Sequence, residues 1–494
     1  MQGEAILAID QGTTGSTAVL LDHDVRVLAQ HTVEFPNHYP APGLVEHDLD
    51  EIWQSVRDAV SGALQQARAE NPDVTVAAIG ITNQRETCLF WDRDGVPIHR
   101  ALVWQDRRTA DRCAALKTAG HEPDVRKKTG LVLDPYFSGT KASWLLDNVA
   151  GARARAEAGA LMFGTIDTWL IYKLTGGAAH VTDPSNASRT LLLNIHTLDW
   201  DDALLDLLKV PRGTLPRIVD NAQIMGHTRG VGFLPDGIPV AGVAGDQQSA
   251  LFGQACFARG AAKSTYGTGA FVLMNTGTEA VASKHRLLTT VGWRLNGEVT
   301  YALEGSAFIA GAAVQWLRDG LGIIQNAAEV EALARQVPDS GGVVFVPALA
   351  GLGAPHWRPE ARGLFAGITG GTTAAHIARA VLEGVALQIS DILRAMAADA
   401  GHPLTELKVD GGATRNDLLM QFQADILSVD CVRPTVLETT ALGAAFLAGL
   451  GVNFWGSTDV IAQTWKEDRR FKSTMSAGTV EEHLAAWANA VAKA

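Results

Sequence analysis

Apolar and polar positions along this chain follow two periods. Residues 5–21, AILAIDQGTTGSTAVLL, set two apolar runs around the small residues Gly12, Thr13, Thr14 and Gly15. This predicts strand, tight turn, strand, with Asp10 closing the first run. Over 51–67, Ile52, Trp53, Val56, Val60, Leu64 and Ala67 recur at three- and four-residue spacing, which predicts a helix capped by Asp48 or Asp50. AAIGIT at 77–82 reads as a buried strand. Over 373–397, Ile377, Val381, Leu382, Val385, Ile389, Ile392, Leu393 and Met396 predict a second long helix, with Thr372 as its cap. Strand and helix signals alternate throughout, so the expected class is α/β.

The pattern repeats once, half a chain later. AAKSTYGTGAFVLMN at 261–275 is again strand, Gly-Thr turn, strand. Either the two hairpins are alike by chance, or the chain has two related halves that clasp one ligand between their turns. A chain of 494 residues exceeds one hydrophobic core and predicts two or three domains. The division expected here is 1–252 and 253–494.

Composition narrows the picture modestly. Net charge is −12, from 41 basic and 53 acidic residues, with no basic block, so nucleic acid is not an expected partner. MQGEAILAID lacks the basic start of a secretory signal. No apolar run approaches the roughly 18 residues of a membrane helix, so no integral membrane segment is expected. Cys88, Cys113, Cys256 and Cys431 are scattered without C-x-x-C spacing and read as reduced structural thiols, in keeping with a cytoplasmic location.

The chemistry-bearing stretches are these. Glycines in the first turn let backbone N–H groups approach an anion, and Thr13 and Thr14 add hydroxyl donors. Asp10 repels a phosphate but can hold Mg²⁺, directly or through water. The stretch is thus a plain turn or a Mg-nucleotide cradle. GITNQRET ends a strand in Arg85–Glu86, either a surface ion pair or a grip on neighbouring hydroxyls, one donating and one accepting. GVAGDQQSALFG places Asp246 where a helix opens, as a cap or as a general base. VDGGATRND predicts strand, double glycine and helix, so that a flat ligand can lie on bare backbone at Gly411–Gly412, with Asn416 beside it. TTALGAAFLAGLG at 439–451 predicts a small-residue helix suited to close backbone packing at a hinge. The motifs of P-loop, Rossmann, zincin, α/β-hydrolase and protein-kinase sites are missing.

Taken in order, DQGTT, GITNQRET, VWQDRRTA, DPYFSGTK, GVAGDQQSALFGQ, TYGTGAF, ALEGSAF, VDGGATRND and ETTALGAAFLAGL resemble the FGGY family of carbohydrate kinases, most densely its glycerol-phosphorylating branch. The resemblance runs from about residue 5 to about residue 465. It implies two actin-like, ribonuclease-H-like ATPase domains with an interdomain cleft. The implied reaction is ATP-dependent phosphorylation of glycerol to sn-glycerol 3-phosphate, which opens glycerol catabolism. By matching motif, Arg85, Glu86, Tyr136, Asp246 and Gln247 would contact the acceptor hydroxyls, and Trp104 and Phe271 would wall its carbons. Asp246 would act as general base. Thr13, Thr14, Gly15, Thr17, Thr268, Gly311, Gln315, Gly412 and Asn416 would make the ATP site, with Asp10 holding Mg²⁺. A homodimer or homotetramer is the implied assembly.

Two departures stand out. Thr17 occupies the place where the family usually has an arginine, so one positive charge near the phosphates is missing. GHTRGVGFLPDGI at 226–238 carries Phe233 and Gly237 where regulated relatives carry a control arginine or histidine, so no such control is expected there. The competing readings are a pentulose kinase of the same family, a non-enzymatic actin-like ATPase and an inactive paralogue.

Overall fold

The computed structural model describes residues 3–494. Thirteen strands build its two main sheets. The first holds β1 (Glu4–Gln11), β2 (Gly15–Leu21), β3 (Val27–Glu34), β4 (Thr75–Asn83), β5 (Ala222–His227) and β6 (Pro239–Gly245), in the order β5-β6-β4-β1-β2-β3. The second holds β7 (Ala262–Tyr266), β8 (Ala270–Gly277), β9 (Leu288–Leu295), β10 (Glu298–Ala307), β11 (Glu406–Asp410), β12 (Asp430–Pro434) and β13 (Glu467–Phe471), in the order β9-β10-β8-β7-β11-β12-β13.

The two orders are one pattern. In each sheet a hairpin (β1–β2, β7–β8) extends antiparallel on one side, to β3 or β10. On the other side come two parallel strands, β4 and β6 or β11 and β12. An antiparallel strand, β5 or β13, then follows. The second sheet carries β9 in addition. The echo between the two glycine-rich hairpins is therefore a repeat of topology. Each hairpin is the first element of its sheet, with its turn at the end where the parallel strands finish.

The helices follow the apolar periods. The first long one, α1 (Leu49–Glu70), buries Ile52, Val56, Ala59, Val60, Ala63 and Leu64, and Asp48 caps it by accepting from the Asp50 N–H at 3.0 Å. The short α2 (Asp246–Gly253) follows β6 directly. Beyond β10 comes α3 (Gly311–Asp319), and the 27-residue α4 (Ala374–Ala400) packs its apolar stripe on the second sheet. Its cap is Thr373, one residue later than expected. The Thr373 backbone N–H donates to His376 in a capping box, while the Thr372 hydroxyl closes the preceding turn by accepting from Thr369 N–H. Then come α5 (Asp417–Leu427) and α6 (Thr439–Gly451).

The small residues of α6 let it join the halves. A Cβ on Gly80 of β4 would lie 2.1 Å from the Ala444 carbonyl oxygen, and one on Gly443 would lie 1.9 Å from that of Ser249 in α2. Backbone therefore meets backbone across the junction. Between β4 and β5, residues 84–221 form a subregion that contributes Cys88–Asp92, Ala101–Leu102 and Leu161–Thr165 to a four-stranded sheet completed by Glu46–His47. Its core also takes in Leu288, Val291 and Tyr301 of β9 and β10, so the second sheet closes over it.

Candidate active site

The site is assembled from strand ends of both sheets. At the end of β4 the chain turns sharply: Glu86 has φ +62°, and Thr87 N–H donates to the Arg85 carbonyl at 2.7 Å. A non-glycine residue in the left-handed region is uncommon and costs free energy, so its neighbours must hold it there. They do. Both side chains turn inward and are buried. Glu304, from the middle of β10 in the other sheet, grips Arg85 with both carboxylate oxygens, at 2.6 and 2.9 Å. Arg189 bridges Glu86 at 2.7 Å and Glu304 at 2.9 Å. Buried charges are tolerated only when paired in this way. The two arginines hold the Glu304 carboxyl down to about 2, although burial alone would raise it.

Arg85 donates to Glu304 and Gln248 from its terminal nitrogens and presents Nε 3.2 Å from Asp246 Oδ1. Asp246 opens α2 directly after β6. Gly245 is the N-cap residue, and Asp246 Oδ1 accepts the Gln247 N–H at 2.7 Å. The side chain of Asp246 keeps 31% exposure, so a reactive carboxylate edge remains open. Burial pushes its carboxyl up, while Arg85 and Lys263 pull it back.

Trp104 and Tyr136 stand beside this pair as a perpendicular aromatic corner, with centroids 5.5 Å apart. Burial and the nearby Glu86 carboxylate raise the Tyr136 phenol, which keeps it protonated. The buried Lys141 ties the corner together through the carbonyls of Trp104 (3.3 Å) and Tyr136 (3.0 Å). Phe271 lies opposite Thr265 on the β7–β8 hairpin and so shares the face of Thr265 and Lys263, which reaches Gln247.

The first hairpin turn is wired to this corner. Gln84 donates to the Gly12 carbonyl at 3.0 Å and accepts from Thr87, whose hydroxyl oxygen receives the Trp104 backbone N–H. Trp104 Nε1 then donates to Thr13 Oγ1 at 2.9 Å. Thr14 is exposed at the tip, and a Cβ on Gly15 would lie 3.0 Å from the Val33 carbonyl oxygen. The Asp10 carboxylate has no hydrogen-bond partner among the described residues. Burial, Asp246 and Glu438 push its carboxyl up to about 8. Thr17 stands opposite Asp10 across the hairpin, its hydroxyl bonded to Thr32 at 2.9 Å.

A second group gathers at the turn of the other hairpin. The Thr268 carbonyl accepts from Ala310 and Ala312 N–H, and a Cβ on Gly311 would lie 2.6 Å from the Gly267 oxygen, so α3 starts flush against the turn. Gln315 follows one helical turn on. Gly411, at φ +90°, lies against Tyr266, while Gly412 has open space in front of it. Asn416 caps α5 by accepting Leu419 N–H at 2.9 Å, which leaves its amide N–H groups free to donate. Thr268, Gly311, Gln315, Gly412 and Asn416 thus come from three separate segments to one end of the second sheet.

The structure brings in residues that the sequence reading did not single out: Gln84, Lys141, Arg189, Lys263, Glu304 and Glu438. All but Arg189 lie inside or beside a motif already notable. A lone charge in a strand or loop carries no signal of its partner, and the partners here lie up to 219 positions away.

Site and topology together define a phosphotransferase of the two-domain kinase kind, and the chain belongs to the FGGY family of carbohydrate kinases. The family's N-terminal domain matches residues 5–253 and its C-terminal domain residues 262–452. Among its relatives, the glycerol kinase of Myxococcus xanthus is 61% identical over 492 residues, 99% of each chain. That of Deinococcus radiodurans is 59% identical over 490 residues, covering 99% of this chain and 97% of its own. The crystal structure of Plasmodium falciparum glycerol kinase with ADP superposes with a TM-score of 0.94 at 37% identity, covering 99% of this chain and 98% of that one.

Proposed function

We propose that the chain transfers the γ-phosphoryl group of ATP to glycerol, giving ADP and sn-glycerol 3-phosphate. The observation that carries this reading is the acceptor corner. Arg85 Nε and the Asp246 carboxylate lie 3.2 Å apart, with Glu86 beside them and the Trp104–Tyr136 aromatic corner alongside. A small polyol needs donors and acceptors side by side, with carbon contact on one face. A site built to bond hydroxyls rejects analogues that lack them, because its buried groups are then left unpaired.

In this reading Asp246 takes the proton of the attacking hydroxyl, while Arg85 and Glu86 orient the others. Phosphoryl transfer is governed mainly by positioning and charge neutralisation, so a carboxylate of modest basicity suffices as base. Thr13, Thr14 and Gly15 meet the phosphates from one hairpin and Thr268 from the other. Gly311, Gln315, Gly412 and Asn416 line the rest of the nucleotide site. Thr17 lies close by, through its place opposite Asp10. Burial and the fields of Asp246 and Glu438 raise the Asp10 carboxyl, a cost that a bound cation would relieve. Asp10 would hold the Mg²⁺ that neutralises phosphate charge when bound. No group of three His, Cys, Asp or Glu side chains among the described residues makes a metal cage by itself.

We further read the chain as two domains meeting near residue 252, assembled as a homodimer or homotetramer in the cytoplasm. Among the described residues, no helix is long and apolar enough to cross a membrane. ATP-dependent phosphorylation of glycerol, dihydroxyacetone, xylulose and gluconate tests the function. Glycerol is expected to give the highest kcat/KM, and a preference for xylulose or gluconate would overturn the reading. Light scattering on the eluting protein reports the assembly.

A further inference from the structure

We propose that Lys263 is a positioning residue that fixes which way the Gln247 carboxamide faces, and so makes Gln247 an obligate hydrogen-bond donor to the acceptor substrate. This rests on the glycerol reading above.

Lys263 sits in β7, fully buried, at the seam between the second sheet and α2. Its Nζ lies 2.5 Å from Gln247 Oε1 and 2.8 Å from Thr265 Oγ1. Among the described residues it makes no ion pair. Burial pulls its ammonium down to about 8, and Asp410, Asp246 and Glu304 oppose that fall from longer range. A carboxamide has two faces, a carbonyl that accepts and an NH₂ that donates, and half a turn exchanges them. An ammonium group has three donors and no acceptor. Beside Lys263 only one orientation of Gln247 is satisfied, with Oε1 inward and Nε2 outward. Gln247 Nε2 has no partner among the described residues, although the residue is 8% exposed.

The consequence is a balanced set of polar groups. Asp246 and Glu86 only accept. Arg85 Nε only donates. Gln247, fixed by Lys263, becomes a further donor. Hydroxyl groups each give one hydrogen and accept one, so a polyol needs donors as well as acceptors around it. With Gln247 reversed, that donor is lost, and a substrate oxygen would meet the Gln247 carbonyl without a hydrogen between them. Sequence gives no sign of this, because Lys263 and Gln247 belong to different elements and sheet packing alone brings them together.

The test compares kcat and KM for glycerol at saturating Mg-ATP in the wild type, Lys263→Met, Lys263→Arg, Gln247→Leu, Gln247→Glu and the double variant K263M/Q247L. Lys263→Met is expected to raise the glycerol KM about tenfold or more, in line with loss of one hydrogen bond to a substrate hydroxyl, while kcat changes less. Lys263→Arg should recover most of the KM, since guanidinium also only donates. Gln247→Leu should match Lys263→Met, and the double variant should be no worse than the poorer single one. A wild-type glycerol KM in Lys263→Met, or KM effects that multiply in the double variant, would overturn the proposal. If Lys263→Met does not fold, Gln247→Glu decides the matter. It keeps the shape and draws a carboxylate toward Lys263 but has no donor left, so its glycerol KM should rise as in Gln247→Leu, and an unchanged KM rejects the idea. Failure of the wild type to phosphorylate glycerol at all would instead reject the underlying reading.

Discussion

Asp246 works under opposing pulls. Burial raises its carboxyl above the usual carboxylate range, and Arg85 and Lys263 oppose that rise. Asp246→Asn keeps the acceptor for the Gln247 N–H but removes the basic oxygen. Turnover should fall by about 10²–10⁴-fold, the usual share of a general base, while ADP binding measured by titration calorimetry stays near wild type. Near-normal turnover would remove the base assignment. Thr17 invites the opposite experiment. A longer, charged side chain there would stand across the hairpin from Asp10, near the Gly12–Thr14 turn. Thr17→Arg should tighten ADP binding by up to about fivefold, the scale of a solvent-screened ion pair. Equal affinities in calorimetry would show that the missing charge is made up elsewhere. At this scale residue types and local order were legible in the chain. Arg85–Glu86 and Asp246 stand out because each ends an apolar strand. Glu304 and Arg189 do not, because a single charge in a buried strand acquires meaning only from a partner that folding supplies.

The elements were more legible than their ends. Both glycine-rich hairpins, α1, α4 and α6 follow directly from apolar period and small-residue content. The cap of α4 slipped by one residue because Thr372 and Thr373 are chemically equivalent in sequence, and the His376 side chain selects between them. The small-residue helix α6 shows what element packing demands. A methyl group on Gly443 has no room against Ser249, whereas Gly478, in the C-terminal helix Ala477–Lys493, has nothing within 4 Å of where its Cβ would be. Gly443→Ala should therefore lower stability by about 1–3 kcal/mol, the range of overpacking, and Gly478→Ala should raise it by about 0.5 kcal/mol through helix propensity. Calorimetric melts of the two variants should move in opposite directions. A tolerated Gly443→Ala would mean that the α2–α6 seam can open.

At the scale of the whole molecule, the Arg85–Glu304–Arg189 link ties the first half to the second through buried charge. Removing one partner from such a cluster typically costs about 3–5 kcal/mol, because it strands the others. The pH dependence follows from the Glu304 carboxyl, held at about 2 when folded against about 4.3 for a free glutamate. A lowered folded value means that the stabilisation is complete above about pH 4.5 and is lost as pH falls through about 2. Glu304→Gln has no such dependence. The gap in melting temperature between wild type and variant should be widest near neutrality and should shrink below about pH 4. A gap that stays constant down to pH 2 would mean that Glu304 is not held by its arginines.

The sequence by itself determined the alternation of elements, the two hairpins and the short motifs of the site, because these depend on neighbours within a few positions. Only the tertiary structure decided that the hairpins begin two sheets of the same order and that the acceptor corner is held from beneath by Lys263 and Glu304 of the second sheet. It alone turned a run of small residues in α6 into a seam between halves. Those outcomes depend on which buried groups meet across hundreds of residues, and pairing of that kind is fixed by packing and by the cost of leaving a buried charge alone.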